Sequence, residues 1–327
     1  MTVRVGIIGA GRMGQEHMRR LSSIPEARIA AVADVDAALA EGGAARHQVR
    51  GYGDARAMLD AEALDAVVIA TPGRLHREQV ELAAGRGLHI LLEKPVAIEM
   101  GDALAIGEAV ARAGVITAVG YQWRNLEFID EARRVLGDEP VSMVNGLWYW
   151  TTPPIAWIAD RDRGGGQMVD QATHLLDLIR YLVGDFETVY ARYTTRARAG
   201  QAGFNNWDAQ AVACELEGGA VGVIQASYAL FPDVPVPPTL DVVQRDRLLR
   251  IMPQQLEVHQ PGQTRVFRAR GGWGQQLNSD FIQAVASGER EGIRCDVPEA
   301  VKSLAVSLAA NESAASGHPV TVRSLLG

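Results

Sequence analysis

A short apolar run at the start of the chain breaks into a glycine-rich turn, and this feature constrains the fold more than any other. Residues 3–8, VRVGII, are typical of a buried parallel strand. Gly9, Gly11 and Gly14 follow at G-x-G-x-x-G spacing, where a helix is expected to begin. Gly9 permits the tight turn, Gly11 lets a pyrophosphate approach bare backbone, and Gly14 allows close packing of helix on strand. The pattern predicts a dinucleotide-binding turn that holds phosphate at the positive end of the helix.

Asp34 ends the next apolar run, residues 28–33, and lies twenty residues after Gly14. At that place in a dinucleotide-binding unit, an acidic side chain accepts hydrogen bonds from the adenosine ribose. The alternative interpretation of Asp34 is a helix N-cap or a loop residue. Residues 35–37, Val-Asp-Ala, provide no cation for a 2′-phosphate, which the carboxylate would repel. We therefore expect NAD to be preferred over NADP.

Length and composition are those of an ordinary globular protein with two domains. The 327 residues exceed what one compact core usually holds, and 47% are hydrophobic and 22% charged. A net charge of −7 argues against a nucleic-acid partner. The two cysteines, Cys214 and Cys295, are too few for a disulfide framework and lack metal-ligand spacing. Since the sequence also shows no leader-like segment and no long apolar stretch, we expect a cytoplasmic protein that is neither secreted nor inserted in a membrane.

Strand-like and helix-like stretches alternate through residue 119, which predicts right-handed crossovers and a parallel sheet. With the first two strands they predict a doubly wound α/β domain of the Rossmann type over residues 1–121. Ligands of such sheets bind beyond the carboxyl ends of the strands. The further predicted strands are residues 49–52, 65–70, 89–92 and 115–119, and the predicted helices are residues 37–45, 54–59, 75–84 and 100–113.

Two of these strand ends carry residues suited to a ligand site. The strand 65–70 ends in the loop Thr71–Pro72, and His76 falls in the first turn of the next helix. The strand 89–92 is followed at once by Glu93-Lys94-Pro95, whose lysine is expected to point into the cofactor crevice. A proline disfavours the helical region for the residue before it, which restricts the direction of this lysine. The alternative interpretation is a solvated loop lysine.

From residue 122 the pattern changes to period-two alternation, which is typical of antiparallel strands. We expect a second α/β domain, residues 122–327, with a large, mostly antiparallel open sheet. Because few helices are available to cover this sheet, one apolar face is expected to mediate self-association as a homodimer or homotetramer. The predicted strands are residues 141–149, 188–195, 208–215, 220–226 and 240–243, with a hairpin turn at 217–219, and the predicted helices are residues 126–136, 168–182, 273–287 and 299–313.

A glycine-rich stretch at residues 164–166 precedes a predicted helix with three titratable side chains. Asp170, His174 and Asp177 are spaced i, i+4 and i+7, which predicts that they share one helix face. A carboxylate one turn from an imidazole orients it and raises its basicity, so this face is a candidate site. The alternative interpretation is an exposed face with ion pairs. The two-histidine spacing of a metal motif is absent, and we predict no metal site.

Together these motifs resemble the glucose-fructose oxidoreductase, inositol dehydrogenase and rhizopine-catabolism (Gfo/Idh/MocA) family of nicotinamide enzymes. The resemblance covers nearly the whole chain. It depends on the glycine turn with Asp34, on Thr71–Pro72 with His76, on Glu93-Lys94-Pro95, and on the stretch leading to Asp170 and His174. It implies a Rossmann domain followed by an α/β domain whose open sheet supports oligomers, with a sugar-like substrate held at the cleft between the two.

The resemblance also implies roles for individual residues. Lys94 corresponds to the catalytic-site lysine, Asp170 to the substrate-positioning carboxylate and His174 to the acid/base histidine. Arg124 stands near the family's post-sheet arginine, and with Trp123 it is a predicted substrate contact, although residues 120–123, Gly-Tyr-Gln-Trp, depart from the commoner form. The predicted cofactor-binding residues are Gly9, Gly11, Arg12, Met13, Gly14, Asp34, Thr71, Pro72, His76, Glu93 and Lys94.

The resulting hypothesis is a dehydrogenase that transfers a hydride between NAD and a secondary alcohol of a sugar, sugar acid or cyclitol. In this interpretation His174 accepts the hydroxyl proton, Asp170 polarises His174, and Lys94 hydrogen-bonds the reacting oxygen. In the alternative assignment, Lys94 and His174 exchange these roles. Two alternatives are a redox-inactive nucleotide sensor and an enzyme that uses bound NAD transiently, as in glycoside cleavage or epimerisation. Aromatic residues suited to sugar C–H faces, or simply to core packing, are Trp123, Trp148, Tyr149, Trp150 and Trp157.

Overall fold

A computed structural model describes the backbone of residues 1–327 and every side chain except that of Trp273. The chain divides into two compact units, residues 1–125 with 272–301 and residues 126–271 with 302–327. The sequence-based division, 1–121 and 122–327, is contiguous and so differs from this grouping, in which a later segment returns to the first unit.

The first unit contains a six-stranded sheet in the order β3-β2-β1-β4-β5-β6, with every pair parallel. This is the strand order of a doubly wound dinucleotide-binding sheet, so the predicted fold of the N-terminal half is confirmed. The strands are β1 Val3–Ile8, β2 Ala27–Ala33, β3 Arg50–Tyr52, β4 Ala66–Ile69, β5 His89–Leu92 and β6 Thr117–Val119. The helices are α1 Arg12–Leu21, α2 Ala37–His47, α3 Ala55–Ala61, α4 His76–Ala84 and α5 Met100–Ala113, with 3-10 turns at Gly73–Leu75 and Gln122–Asn125.

Helix α10, Trp273–Ser287, belongs to the first unit. Its residues Leu277, Phe281 and Ile282 are buried in the same apolar cluster as Val5 and Ile7 of β1. The sequence-based assignment of this helix to the second domain is therefore wrong. The apolar side chains of α10 pack against β1, which lies some 270 residues earlier in the chain. The periodicity of a helix shows which of its faces is apolar, but not which of two sheets that face covers.

The second unit contains a nine-stranded sheet in the order β14-β13-β12-β11-β7-β10-β9-β8-β15, in which only the pair β7–β10 is parallel among the described residues. The predicted mostly antiparallel sheet is thus confirmed. Its strands are β7 Met143–Tyr149, β8 Phe186–Thr194, β9 Ala209–Leu216, β10 Val221–Ser227, β11 Thr239–Gln244, β12 Arg247–Met252, β13 Gln255–Gln260, β14 Gln263–Arg268 and β15 Val320–Thr321. The remaining helices are α6 Ile129–Leu136, α7 Arg161–Gly164, α8 Gln167–Asp170, α9 Thr173–Leu182 and α11 Val297–Ser316, with a last 3-10 turn at Val322–Leu325.

The large sheet has one buried and one exposed face. Along β7 and β10, Val144 and Ile224 are fully buried, whereas Met143 and Val221 are 42% and 51% exposed. Helix α9 packs on the buried face, since a Cβ atom at Gly146 would lie 3.4 Å from Leu175 Cδ1. No described helix is both long enough and apolar enough to cross a bilayer.

Candidate active site

The glycine turn after β1 has the geometry that its sequence predicts. Gly9 has φ +94°, and a Cβ atom there would lie 2.8 Å from the carbonyl oxygen of Ala70. A Cβ atom at Gly14 would overlap the carbonyl oxygen of Gly9. These two positions therefore require glycine, one for the left-handed backbone and one for the close approach of α1 to the turn.

Gly11 differs, because a Cβ atom there would meet no described atom within 4 Å. It is the N-cap of α1, and no described side chain caps the helix at this end. The amides of the first turn, at Arg12, Met13 and Gly14, are the ones that an α-helix leaves without intrahelical partners. An open approach beside uncapped amides fits the pyrophosphate of a dinucleotide.

Asp34 follows β2 at the same edge of the sheet. Its Oδ2 accepts a hydrogen bond from the Ala10 backbone N–H at 2.7 Å, and its Oδ1 accepts from the Asp36 N–H at 2.9 Å. The N-cap of α2 is Asp36, whose Oδ1 accepts from Ala38 N–H at 2.9 Å. A carboxylate has about four lone-pair positions, so Asp34 still has capacity to accept ribose hydroxyls.

His76 is the first residue of α4, after the loop that follows β4, and is fully buried. Its Nε2 is 2.9 Å from the Thr71 carbonyl oxygen and its Nδ1 is 3.3 Å from the Val96 carbonyl oxygen. Burial lowers the pKa of His76. Both ring nitrogens thus face the loops that follow β4 and β5, and any effect of His76 on a cofactor would pass through the Thr71–Pro72 backbone.

Glu93 and Lys94 directly follow β5. The Glu93 backbone N–H donates to the Ile69 carbonyl at 2.8 Å, which places it beside the end of β4. Glu93 Oε2 accepts the Lys94 backbone N–H at 3.1 Å, and Glu93 Oε1 is 3.0 Å from His17 Nε2. Lys94 is half-buried, and the Lys94–Pro95 peptide bond is cis. Sequence reasoning missed His17, although its place on the inward face of α1 three residues after Gly14 was a signal for it.

Trp123 and Arg124 lie in the 3-10 turn after β6 and are 1% and 2% exposed. The Arg124 guanidinium donates to the Arg294 carbonyl oxygen at 2.7 Å, and another of its nitrogens is 3.6 Å from Glu299 Oε2. Arg294 in turn donates to the Arg124 carbonyl oxygen at 3.1 Å. Arg124 thus ties this turn to the segment that returns to the first unit.

In the second unit, Asp170 and His174 are 5% and 8% exposed. Tyr228, which follows β10 and is fully buried, donates its hydroxyl hydrogen bond to Asp170 Oδ2 at 3.1 Å. Burial, and then the charge of Asp170, raises the pKa of Tyr228 well above its usual value, so the phenol stays protonated. The His174 ring stacks on Trp148 of β7, with centroids 5.9 Å apart and planes 20° apart.

The three predicted side chains do not lie on one continuous helix. The helix is interrupted between α8, which ends at Asp170, and α9, which begins at Thr173. Asp177 is fully buried and accepts a hydrogen bond from Ser303 Oγ at 2.7 Å. The predicted continuous helix over residues 168–182 is therefore wrong. The shared face of the three side chains stays a prediction, because regular helical spacing does not apply across the break.

The glycines before α8 serve close packing within the unit. Gly166 has φ +88°, and a Cβ atom there would lie 2.8 Å from Trp207 Cζ3. Gly165 has φ +76°, and its carbonyl oxygen accepts from Asn311 Nδ2 at 2.9 Å. The left-handed backbone at both positions sets the start of α8 and so the location of Asp170. No cluster of three potential metal ligands occurs among the described residues.

Two family models match the chain. One, described as an oxidoreductase family with an NAD-binding Rossmann fold, matches residues 3–121. The other, described as the GFO/IDH/MocA C-terminal domain, matches residues 133–243. The two matches follow the parallel sheet and the larger part of the mostly antiparallel sheet, respectively.

Individual relatives agree with these models. The rhizopine catabolism protein MocA of Rhizobium meliloti is 33% identical over 226 residues, which are 68% of this chain and 70% of that protein. The D-apiose dehydrogenase of Paraburkholderia graminis is 32% identical over an alignment of 350 residues, covering 98% of this chain and 89% of the other. A levoglucosan dehydrogenase solved with NADH and levoglucosan superposes with a TM-score of 0.88 at 23% identity, covering 98% of this chain and 100% of the other.

Proposed function

This chain belongs to the Gfo/Idh/MocA family and is an NAD-dependent oxidoreductase acting on CH–OH groups, and we propose that it oxidises a secondary alcohol of a sugar, sugar acid or cyclitol. The observation that carries the proposal is the location of Lys94. It extends from the carboxyl end of β5, at the same sheet edge as the glycine turn and Asp34. An ammonium group there is suited to an alcohol held beside a nicotinamide.

NAD, when bound, supplies the hydride acceptor. Its binding residues in this proposal are the uncapped amides after Gly11, the Asp34 carboxylate, the Thr71–Pro72 loop and the Glu93–Lys94 backbone. His76 supports the loop through its contact with the Thr71 carbonyl. Each of these groups lies at or just beyond the carboxyl end of a strand in the first unit.

We assign the proton chemistry to three side chains. With NAD bound to accept the hydride of the alcohol carbon, His174 would take the hydroxyl proton, so that the alcohol would become a carbonyl. Lys94 donates a hydrogen bond to the oxygen as negative charge develops on it. Asp170 positions the substrate and polarises His174. Each of these contributions typically accelerates a reaction by about 10²–10⁴.

The surroundings of His174 and Asp170 support these roles. The stacked Trp148 ring restricts the His174 imidazole plane, and the Tyr228 hydroxyl fixes one oxygen of Asp170. A general base whose rotamer is fixed by packing loses less entropy in the reaction than a mobile one. We retain Trp123 and Arg124 as residues that shape the substrate region, because their turn directly follows β6 at the carboxyl edge of the parallel sheet.

A panel of polyols tests the substrate proposal. The relatives named above act on D-apiose or levoglucosan according to their names, and others are inositol 2-dehydrogenases. The panel therefore contains inositols, levoglucosan, D-apiose and sugar acids, each incubated with NAD. A rise in reduced-nicotinamide absorbance with one or more of them is expected. Binding of NAD without any rise would favour a nucleotide sensor, and conversion of a glycoside or epimer without net reduction would favour transient use of NAD.

We further propose that the protein forms a homodimer or homotetramer through the exposed face of the nine-stranded sheet. Met143, Tyr190, Val221 and Val266 lie on this face and are 42%, 37%, 51% and 42% exposed. The same face has a concavity of about 480 Å³. Apolar patches of this kind usually mark an interface.

Light scattering of the intact protein at micromolar concentration tests this proposal. A dimer or tetramer is expected, and Val221→Lys should lower the mass because it buries a charge in the interface. Leu104→Lys is the matched control, since Leu104 is 38% exposed on α5 of the first unit. A monomeric wild-type mass would contradict the proposal.

Cysteine usage supports a cytoplasmic location, which we also propose. Cys214 and Cys295 are buried and form no disulfide within the described structure. Burial raises the pKa of the Cys214 thiol to about 12, so it is a poor nucleophile. Fractionation of the native host with an antibody would test the location.

A further inference from the structure

Three polar side chains from separate elements meet in the interior of the first unit. His17 of α1, Glu93 after β5 and Asn278 of α10 are 1%, 4% and 0% exposed. His17 Nε2 lies 3.0 Å from Glu93 Oε1, and His17 Nδ1 lies 3.1 Å from Asn278 Nδ2. Both ring nitrogens are thus engaged, so the imidazole has a fixed orientation.

The Asn278 amide holds the other side of the ring, since both its Oδ1 at 3.0 Å and its Nδ2 at 3.1 Å lie within hydrogen-bond distance of His17 Nδ1. The Asn278 amide nitrogen also donates to the carbonyl oxygen of Gly274 at 3.3 Å. The carboxylate of Glu93 can only accept, so the Nε2–H of His17 is the donor in the contact between them. His17 thus presents a donor to Glu93, and Asn278 fixes the ring from its other side.

The Glu93 carboxylate connects this cluster to the lysine backbone. Its second oxygen, Oε2, accepts the Lys94 N–H at 3.1 Å. The carboxylate also fills the space beside Gly120, where a Cβ atom would lie 2.8 Å from Oε2. Moving the carboxylate would therefore move the peptide from which the Lys94 side chain extends.

Packing alone does not explain a carboxylate at this point. Burying a carboxylate costs free energy, and apolar side chains of similar volume would usually stabilise a core at least as well. Burial lowers the pKa of Arg20, one turn after His17, while the charges of Glu16 and then Glu93 raise it. Arg20 Nε donates to Glu16 at 3.0 Å, so His17 is the α1 side chain that contacts the Glu93 carboxylate.

We propose that His17 is a positioning residue for the chemical step, which holds Glu93 and thereby fixes the direction of Lys94 relative to the glycine turn at the start of α1. The inference rests on the catalytic role proposed for Lys94. It adds a function for α1, which on this view carries the pyrophosphate at its N-terminus and aligns the lysine from its middle.

Three substitutions at residue 17 separate positioning from packing. In His17→Gln the amide nitrogen reaches about as far as Nε2 and can still donate to Glu93. In His17→Asn the shorter amide lies near Nδ1 and reaches only Asn278. His17→Ala removes both contacts. The readouts are kcat and KM with the best polyol of the panel, the Kd of NADH by fluorescence, and the thermal midpoint.

We expect kcat to fall about 10- to 100-fold in His17→Ala and His17→Asn, since displacements of about 1 Å can cost that much. His17→Gln should keep kcat within about threefold of wild type, and the Kd of NADH should change little in all three. Equal loss of kcat in the Gln and Asn variants, or a loss that follows the thermal midpoint, would overturn the inference in favour of a structural role.

Lys94→Ala separates this inference from the proposed function. If Lys94→Ala is inactive while His17→Ala turns over normally, only the role of His17 is overturned. If Lys94→Ala keeps near wild-type turnover, the proposed role of Lys94 fails and the inference fails with it. Adding His17→Ala to Lys94→Ala should not lower the residual kcat any further, because the lysine side chain that His17 aligns is already absent.

Discussion

The Tyr228 hydroxyl donates a hydrogen bond to Asp170 Oδ2 at 3.1 Å, with both side chains buried. This contact joins the end of β10 to the end of α8. A buried carboxylate that loses a donor bears the cost of an unsatisfied charge. Tyr228 is therefore expected to hold Asp170 in the orientation that the proposed chemistry requires.

Tyr228→Phe tests that expectation. The free energy of unfolding should fall by about 1–3 kcal/mol, and kcat should fall roughly tenfold, equivalent to about 1.4 kcal/mol in the barrier. Tyr193→Phe is the matched control, because the buried Tyr193 hydroxyl has no hydrogen-bond partner among the described residues. Its removal should be neutral or stabilising. Equal effects of the two substitutions on kcat would contradict the assignment.

The glycine turn offers a prediction that separates folding from cofactor binding. Gly14→Ala should destabilise the protein by about 2–3 kcal/mol, because its Cβ atom would overlap the Gly9 carbonyl. Gly11→Ala should leave the denaturation midpoint unchanged, since its Cβ atom would meet no described atom within 4 Å. Its methyl group should nevertheless raise the Kd of NADH at least about tenfold. Unchanged NADH affinity in Gly11→Ala would argue against pyrophosphate at this position.

Asp34 predicts the choice of dinucleotide. Wild-type kcat/KM should be higher with NAD than with NADP, because the carboxylate accepts ribose hydroxyls and repels a 2′-phosphate. Asp34→Ala should reduce the NAD-to-NADP ratio by roughly 10- to 100-fold, the range of a charged hydrogen bond. Asp36→Ala removes the N-cap of α2 instead and should cost about 1 kcal/mol of stability without changing the ratio. Equal or better efficiency of the wild type with NADP would refute the prediction.

His89 predicts a pH dependence of stability. Burial, and then the charge of Arg290, lowers the pKa of His89 below its usual value of 6.5, and its Nδ1 accepts the Ile116 N–H at 3.0 Å. Between this lowered pKa and 6.5, the unfolded chain binds more protons than the folded chain. The free energy of unfolding therefore falls as the pH drops below about 6.5.

The variant His89→Asn keeps an acceptor for Ile116 but does not titrate. Its stability should match the wild type near pH 7.5 and decline less steeply towards about pH 5.5. Denaturant titrations at several pH values measure both slopes. Identical slopes would show that His89 does not contribute.

The parallel sheet was predictable because all of its strands except β3 are short apolar runs followed closely by Gly, Asp, Thr or Glu. Strands β12, β13 and β14 were not predicted, although Leu256 and Val258 alternate with polar residues and Pro261-Gly262 marks a turn. Half-buried strands near a sheet edge carry a weaker apolar pattern than central ones. The sequence signals that exist there are the turn residues.

The candidate site was predictable to the extent that it follows strand ends. Lys94 and Asp34 are located by the parallel sheet alone. The pairing of His17 with Glu93 joins residues 76 positions apart, and that of Tyr228 with Asp170 joins residues 58 apart. No local pattern specifies such pairs, because they depend on how helices and strand ends pack after the chain has folded. The break between α8 and α9 was not predicted either, because the residues around it are all compatible with a helix.

The most direct test of the proposed mechanism measures kcat and NADH affinity together in Lys94→Ala and His174→Ala. Neither residue lies in the glycine turn or beside Asp34, so the Kd of NADH from fluorescence titration should stay within about threefold of wild type. Turnover of the best polyol should fall by about 10²–10⁴ in each variant. Near wild-type turnover in both would contradict the assignment of the chemical step to these residues.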